Sequence, residues 1–141
     1  MSRDAPDRGS MTLEFVVVVP GLLLVLSLVI FGGRLALAHQ AVEAAAAEAA
    51  RTASIARQAS TAAGDARAAA QNTLDEERLR CSSTTTSVDT SGFAAPVGTA
   101  ATVSATVTCV VNLSDLALPG LPGSRTVTAT GDSPLDTYRE R

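Results

Sequence analysis

Lysine and tryptophan are absent from this 141-residue chain, which has one tyrosine, three phenylalanines, two cysteines and a single histidine. Each scarcity removes something. With so few large side chains a core buries little apolar area per residue, so any water-exposed part is modest in stability or leans on partner chains. Eleven arginines stand against fourteen acidic residues, a net charge of −3. No basic stripe interleaved with aromatics appears, and nothing supports nucleic-acid binding. His39 and two distant cysteines do not make a metal-ligand cluster. No glycine-rich loop precedes a Lys–Ser/Thr pair. With no catalytic constellation and no cofactor motif, the chain reads as a non-enzyme.

What is present is concentrated. Residues 1–9, MSRDAPDRG, are polar and too short to fold, and they read as a leader. From Ser10 the text becomes SMTLEFVVVVPGLLLVLSLVIFGG, and between Glu14 and Arg34 no residue is ionisable. At a rise of 1.5 Å per residue, positions 15–33 cover about 28 Å, close to the roughly 30 Å hydrocarbon thickness of a bilayer. A chain this small has too little mass to cover such a helix on all sides, so a transmembrane helix over 10–34 is expected. Pro20 and Gly21 lie inside it, tolerated in lipid better than in water. Pro20 lacks an amide hydrogen, which predicts a kink or a loosened ladder at this pair. Gly32 and Gly33 read either as a flexible exit or as a close-packing spot.

Beyond Arg34, LALAHQAVEAAAAEAARTASIARQAS is built from strong helix formers. Leu35, Ala38, Val42, Ala45, Ala49 and Ala56 recur at helical spacing as one small-residue stripe. Glu48 and Arg51 are spaced for an i,i+3 pair. The expectation is one rod of about 45 residues, then a second helix over about 61–79. After Cys81 the chain turns to serine, threonine and valine. ATVSATVTCVV alternates, placing Val103, Ala105, Val107, Cys109 and Val111 on one strand face. SRTVTATGDSP and CSSTTTSV are two further strand candidates, and the turn-rich LPGLPGS at 118–124 separates two strands. The fold class is therefore α+β: a long N-terminal transmembrane helix continuing into an extracytoplasmic helix, a second short helix, then a small antiparallel sheet. The corresponding divisions are 1–9 leader, 10–34 transmembrane helix, 35–80 helical region and 81–141 β-rich domain.

Cys81 and Cys109 both fall in the polar second half. If that half lies outside the cytoplasm, a disulfide is the natural reading, contributing about 3 kcal/mol by closing the intervening loop. The alternative is two unpaired, partly buried thiols.

The junction Arg8-Gly9-Ser10-Met11-Thr12-Leu13-Glu14-Phe15 is the informative site. A secretory signal is cut after its apolar run. Here a polar leader ends in glycine before the run, so cleavage between Gly9 and Ser10 would leave the helix in the mature protein. Two readings of Glu14 stand. It lies at the interfacial helix start, where the positive end of the helix dipole favours an anion. Or it enters an apolar bundle, where a carboxylate costs about 2.5–3.5 kcal/mol at the bilayer centre and needs a cation. The ammonium of Ser10 on a neighbouring subunit is then a natural partner.

From Arg8 onward the chain combines a glycine before the apolar stretch, a glutamate five positions on and a proline six positions after that. A glycine and an arginine end the span, and an alanine/arginine-rich helix follows. Over about residues 8–58 this resembles the TadE-like pseudopilins of bacterial tight-adherence (Tad/Flp) pili. The resemblance implies processing after Gly9 by a prepilin peptidase and a role as a minor pseudopilin or assembly component of such a pilus. It implies Glu14 as the assembly contact, with Phe15 opening the helix-packing surface. The implied partners are membrane lipid, other pilin-like subunits, Tad assembly proteins and the peptidase. The implied location is the bacterial plasma membrane, single-pass, with a cytoplasmic N-terminus. The leader carries two arginines but also two aspartates, so charge gives this orientation little support. A different class of function remains: an uncleaved single-pass anchor presenting a β-rich binding domain. A third is a secretory precursor cut at the small-residue site Ala36–Ala38.

Overall fold

A computed structural model describes residues 10–114 and 123–138, with side chains from Phe15 onward. The leader and most of LPGLPGS lie outside the described residues. The N-terminal apolar run and the alanine-rich stretch after it form one helix α1, Ser10–Ile55, of 46 residues without interruption. A three-residue connector leads to α2, Ala59–Glu76. Three strands follow: β1 Cys81–Asp89, β2 Thr102–Asn112 and β3 Ser124–Pro134, with a 3₁₀ turn at Ser91–Ala94 between the first two. They form one antiparallel sheet in the order β1-β2-β3. The class is α+β, as the residue pattern predicts.

The second helix is displaced from the expected 61–79 for reasons visible at both ends. Gln58, in extended conformation, starts it. At its far end the Leu79 amide donates to the Leu74 carbonyl at 2.9 Å and the Arg78 amide to the Asp75 carbonyl at 3.0 Å. This is a Schellman termination, in which the residue after the cap turns left-handed and is usually glycine. Here that residue is Arg78, at φ 56°.

The outer part of α1 is buried more widely than a single stripe. Ala38, Val42, Ala45 and Ala49 are buried as spacing predicts, but so are Ala41, Ala46, Ala50 and Ala53. Leu35 and Ala56 are half-buried at the margin. The helix packs against α2 on one side and against β2 and β3 on the other, which occupies two faces of its circumference. α2 contributes Ala62, Ala66, Ala70 and Leu74 at i,i+4 spacing.

The sheet shows its alternation plainly. Val103, Ala105, Val107, Cys109 and Val111 are buried in β2, joined by Val127 of β3. The outward face pairs threonines across strands: Thr106 with Thr130 at 2.9 Å and Thr108 with Thr128 at 3.1 Å between hydroxyl oxygens. Ser104 bonds Asp132 in the next rung. Cys81 and Cys109 are joined by a disulfide, with Cα atoms 5.4 Å apart, next to a register shift between Cys81 and Ser83. The described ends of the β2–β3 connection meet where the Leu113 amide donates to the Gly123 carbonyl at 2.8 Å.

Sheet and helix approach one another closely at Gly131. A Cβ there would lie 2.6 Å from the Ala46 carbonyl carbon and oxygen and 2.7 Å from the Ala47 Cα. Nearby, the Ser133 hydroxyl donates to the Ser54 hydroxyl at 2.9 Å. Only glycine admits this approach. Gly131→Val should therefore lower stability by about 2 kcal/mol or more, the scale of overpacking, seen as a lower urea midpoint of the full chain in detergent. Gly64, inside α2, has open space where a methyl group would stand and should respond oppositely: Gly64→Ala should stabilise by about 0.5–1 kcal/mol. Reduction of the disulfide should cost about 3 kcal/mol in the same assay.

Candidate functional site

Val16–Val19 are β-branched and in water favour strands. In a hydrocarbon phase every backbone amide must be satisfied within the segment, and a helix does this. The first part of α1 follows that rule. Pro20 sits inside the helix, where its missing N–H removes one rung of the ladder. The Ser27 hydroxyl donates to the Leu23 carbonyl at 2.8 Å, so the one hydroxyl within 15–33 is satisfied within its own helix.

Among the described residues, little covers the side chains of this segment. Phe15 is 65% exposed, Leu22 67% and Leu24 55%, and the remaining large residues through Ile30 are comparable. Exposure runs around the whole circumference, unlike an amphipathic helix lying on a core. Cβ positions at Gly21, Gly32 and Gly33 meet nothing within 4 Å. The Gly32–Gly33 pair is neither a break nor a close contact within the described chain; the helix continues through it. Cover begins at Phe31 and Leu35, which pack on the margin of the domain core.

The residues singled out by sequence fall in separate places. Gly9 lies outside the described residues. Ser10 and Glu14 are four residues apart on the backbone of α1, and Phe15 is the first exposed aromatic. Pro20 and Gly21 stand within the exposed segment. Cys81 and Cys109 are far from it in sequence and belong to the sheet. His39 is exposed on the outer part of α1. Among the described residues no three His, Cys, Asp or Glu side chains gather as a metal-binding group. Glu48 and Arg51 make the expected pair, with Arg51 Nε 3.0 Å and Nη2 3.1 Å from the two carboxylate oxygens. Being exposed, it contributes little to stability.

One grouping escapes a reading along the chain. The α1–α2 hairpin returns the end of α2 to the level of Arg34, so Arg34, Arg78 and Arg80 line one groove with Leu113 of the β2 end. The only sequence signal for it is the short connector between two helices of similar outer length, which implies an antiparallel pair.

Fold and site define a class: an α+β protein whose N-terminal helix is long and apolar enough to cross a membrane. Residues 9–51 match the family model described as TadE-like protein. The match covers the glycine, the glutamate, the apolar run and the first alanine-rich turns. With the exposed helix it supports a membrane-anchored, Tad-pilus-related component. No curated protein and no solved structure matches the chain.

Leu24 is the midpoint of residues 15–33 and is exposed, so the fold assigns no packing cost to its replacement. Leu24→Arg should still disfavour membrane insertion by about 2.5–3.5 kcal/mol. Carbonate extraction should release a larger fraction of this variant than of the parent, with the disulfide intact. Equal retention would count against a membrane role for this segment.

Proposed function

We propose that the chain is a minor pseudopilin or assembly component of a Tad/Flp-type pilus, cut after Gly9 by a prepilin peptidase and packed beside other pilin-like helices. One observation carries the reading: the segment matched as TadE-like, residues 9–51, contains an apolar helix that the described fold leaves bare. A bare helix of this kind is completed by lipid and by neighbouring helices. Side-by-side association in lipid depends on close van der Waals packing, and the open surface at Gly21, Gly32 and Gly33 leaves room for it.

In this reading Glu14 sets the register of the bundle. It is the last ionisable residue before the apolar run, where an opposite charge on a neighbouring helix relieves the cost of desolvation. The Ser10 ammonium created by cleavage supplies that charge. The leader is cytoplasmic and the domain beyond Arg34 extracytoplasmic, a placement that agrees with the bridge between Cys81 and Cys109. The boundary between the membrane segment 10–34 and the helical region 35–80 is then a change of solvent along one continuous helix. Partners are membrane lipid, pilin-like subunits, Tad assembly proteins and the peptidase, and the role is structural.

Mass spectrometry of the membrane-extracted chain should find an amino terminus at Ser10. A terminus at Met1 in cells with an active prepilin peptidase would overturn the proposal in favour of an uncleaved anchor, and one near His39 in favour of a secretory precursor. Glu14→Ala should abolish co-assembly with the pilin-like subunits while membrane insertion persists. Normal assembly of that variant would leave Glu14 as an interfacial residue only.

A further inference from the structure

The groove at the base of the domain is lined by three arginines from two separate segments, Arg34 of α1 and Arg78 and Arg80 beyond α2, with Glu77 as its carboxylate and Leu37 and Leu113 beside them. Arg125 stands opposite Val111 of the same groove in the β2–β3 register. All four arginines are exposed. The three groove arginines come together because α2 runs back toward the start of the domain and the sheet ends at the same level. Arg57, by contrast, lies at the opposite end, in the α1–α2 connector.

Height decides what this groove meets. Arg34 directly follows the apolar span, and Phe31, one turn inside that span, already touches the margin of the domain core. From Arg34 to Ala41, the stretch of α1 that lines the groove, the rise is about 10 Å. A headgroup layer occupies roughly 5–7 Å outside the hydrocarbon. With residues 15–33 in the bilayer, the lower groove falls within the headgroup layer, and arginine stems are long enough for the remaining guanidinium groups to reach it. Guanidinium groups bind phosphate oxygens in pairs of hydrogen bonds.

The helix termination sets where Arg78 stands. Arg78 occupies the left-handed position of a Schellman cap, φ 56°, where glycine is the low-cost choice.

We propose that Arg34, Arg78 and Arg80 form a collar that binds the phosphates of anionic phospholipid and seats the domain on the membrane surface at the mouth of its own helix. The collar rests on residues 15–33 lying in the bilayer. It orients the domain, and with it the sheet, relative to the membrane plane.

The test uses the full chain in bilayer nanodiscs made from equal parts phosphatidylglycerol and phosphatidylcholine, with the lipid retained after gentle extraction identified by native mass spectrometry. Phosphatidylglycerol should be retained preferentially. The preference should fall roughly fivefold for each of Arg78→Gly and Arg80→Gln, the scale of one surface arginine at an anionic membrane. It should rise for Glu77→Gln and stay unchanged for Arg57→Gln. Arg78→Gly also relieves the left-handed backbone, so its urea midpoint should rise while its lipid preference falls, which separates loss of the collar from loss of the fold. Equal retention of both lipids, or a preference indifferent to Arg78 and Arg80, would overturn the collar. So would complete displacement by inorganic phosphate, which would mark a free-phosphate site. Failure of the chain to enter the bilayer at all is a different result, and it would remove the membrane reading together with the collar.

Discussion

Gly131 rests against the Ala46–Ala47 peptide of α1, and the arrangement of the domain depends on that contact. It sets how closely the sheet lies on the helix. A side chain at Gly131 would push β3 away and open the small-residue core on both sides of it. Because the core is mostly alanine and valine, with Val42, Val103, Val107 and Val127 among its largest fully buried side chains, it has few long groups able to fill a gap. Closeness replaces bulk. Alanine on α1, alanine on α2 and glycine on β3 together let the packed surfaces meet with little volume between them. The disulfide fastens β1 to β2 at the base of the domain.

One helix therefore works in two environments. Its first half is covered by large aliphatic side chains and is left bare by the fold; its second half is almost free of them and is buried on two sides. The change occurs near Arg34 without a break in the backbone. A rigid continuous helix transmits the position of the membrane segment directly to the domain, which a flexible linker would not do.

Much of this is legible residue by residue. The absence of ionisable groups between Glu14 and Arg34 marks the span, and the two-residue alternation of β2 marks its buried face down to Cys109. Those signals are local, because helix and strand periodicity are properties of neighbouring residues. The second buried stripe of α1 is less legible: an alanine on a water-facing surface and one in a tight core look the same in the text. Arg78 as a helix terminator is not legible either, since glycine or asparagine is the usual mark of that position.

Spacing along the chain is enough to define the elements and their order, the bare apolar length and the inward face of the central strand. Each of these follows from short-range periodicity and from the thickness of a bilayer. Three juxtapositions needed the folded chain: Gly131 against Ala46, Cys81 reaching Cys109 across a shifted register, and Arg34 sharing a groove with Arg78 and Arg80. They join residues far apart along the chain. They arise when the helix hairpin and the sheet close on one another, and closure depends on the whole set of packed surfaces at once.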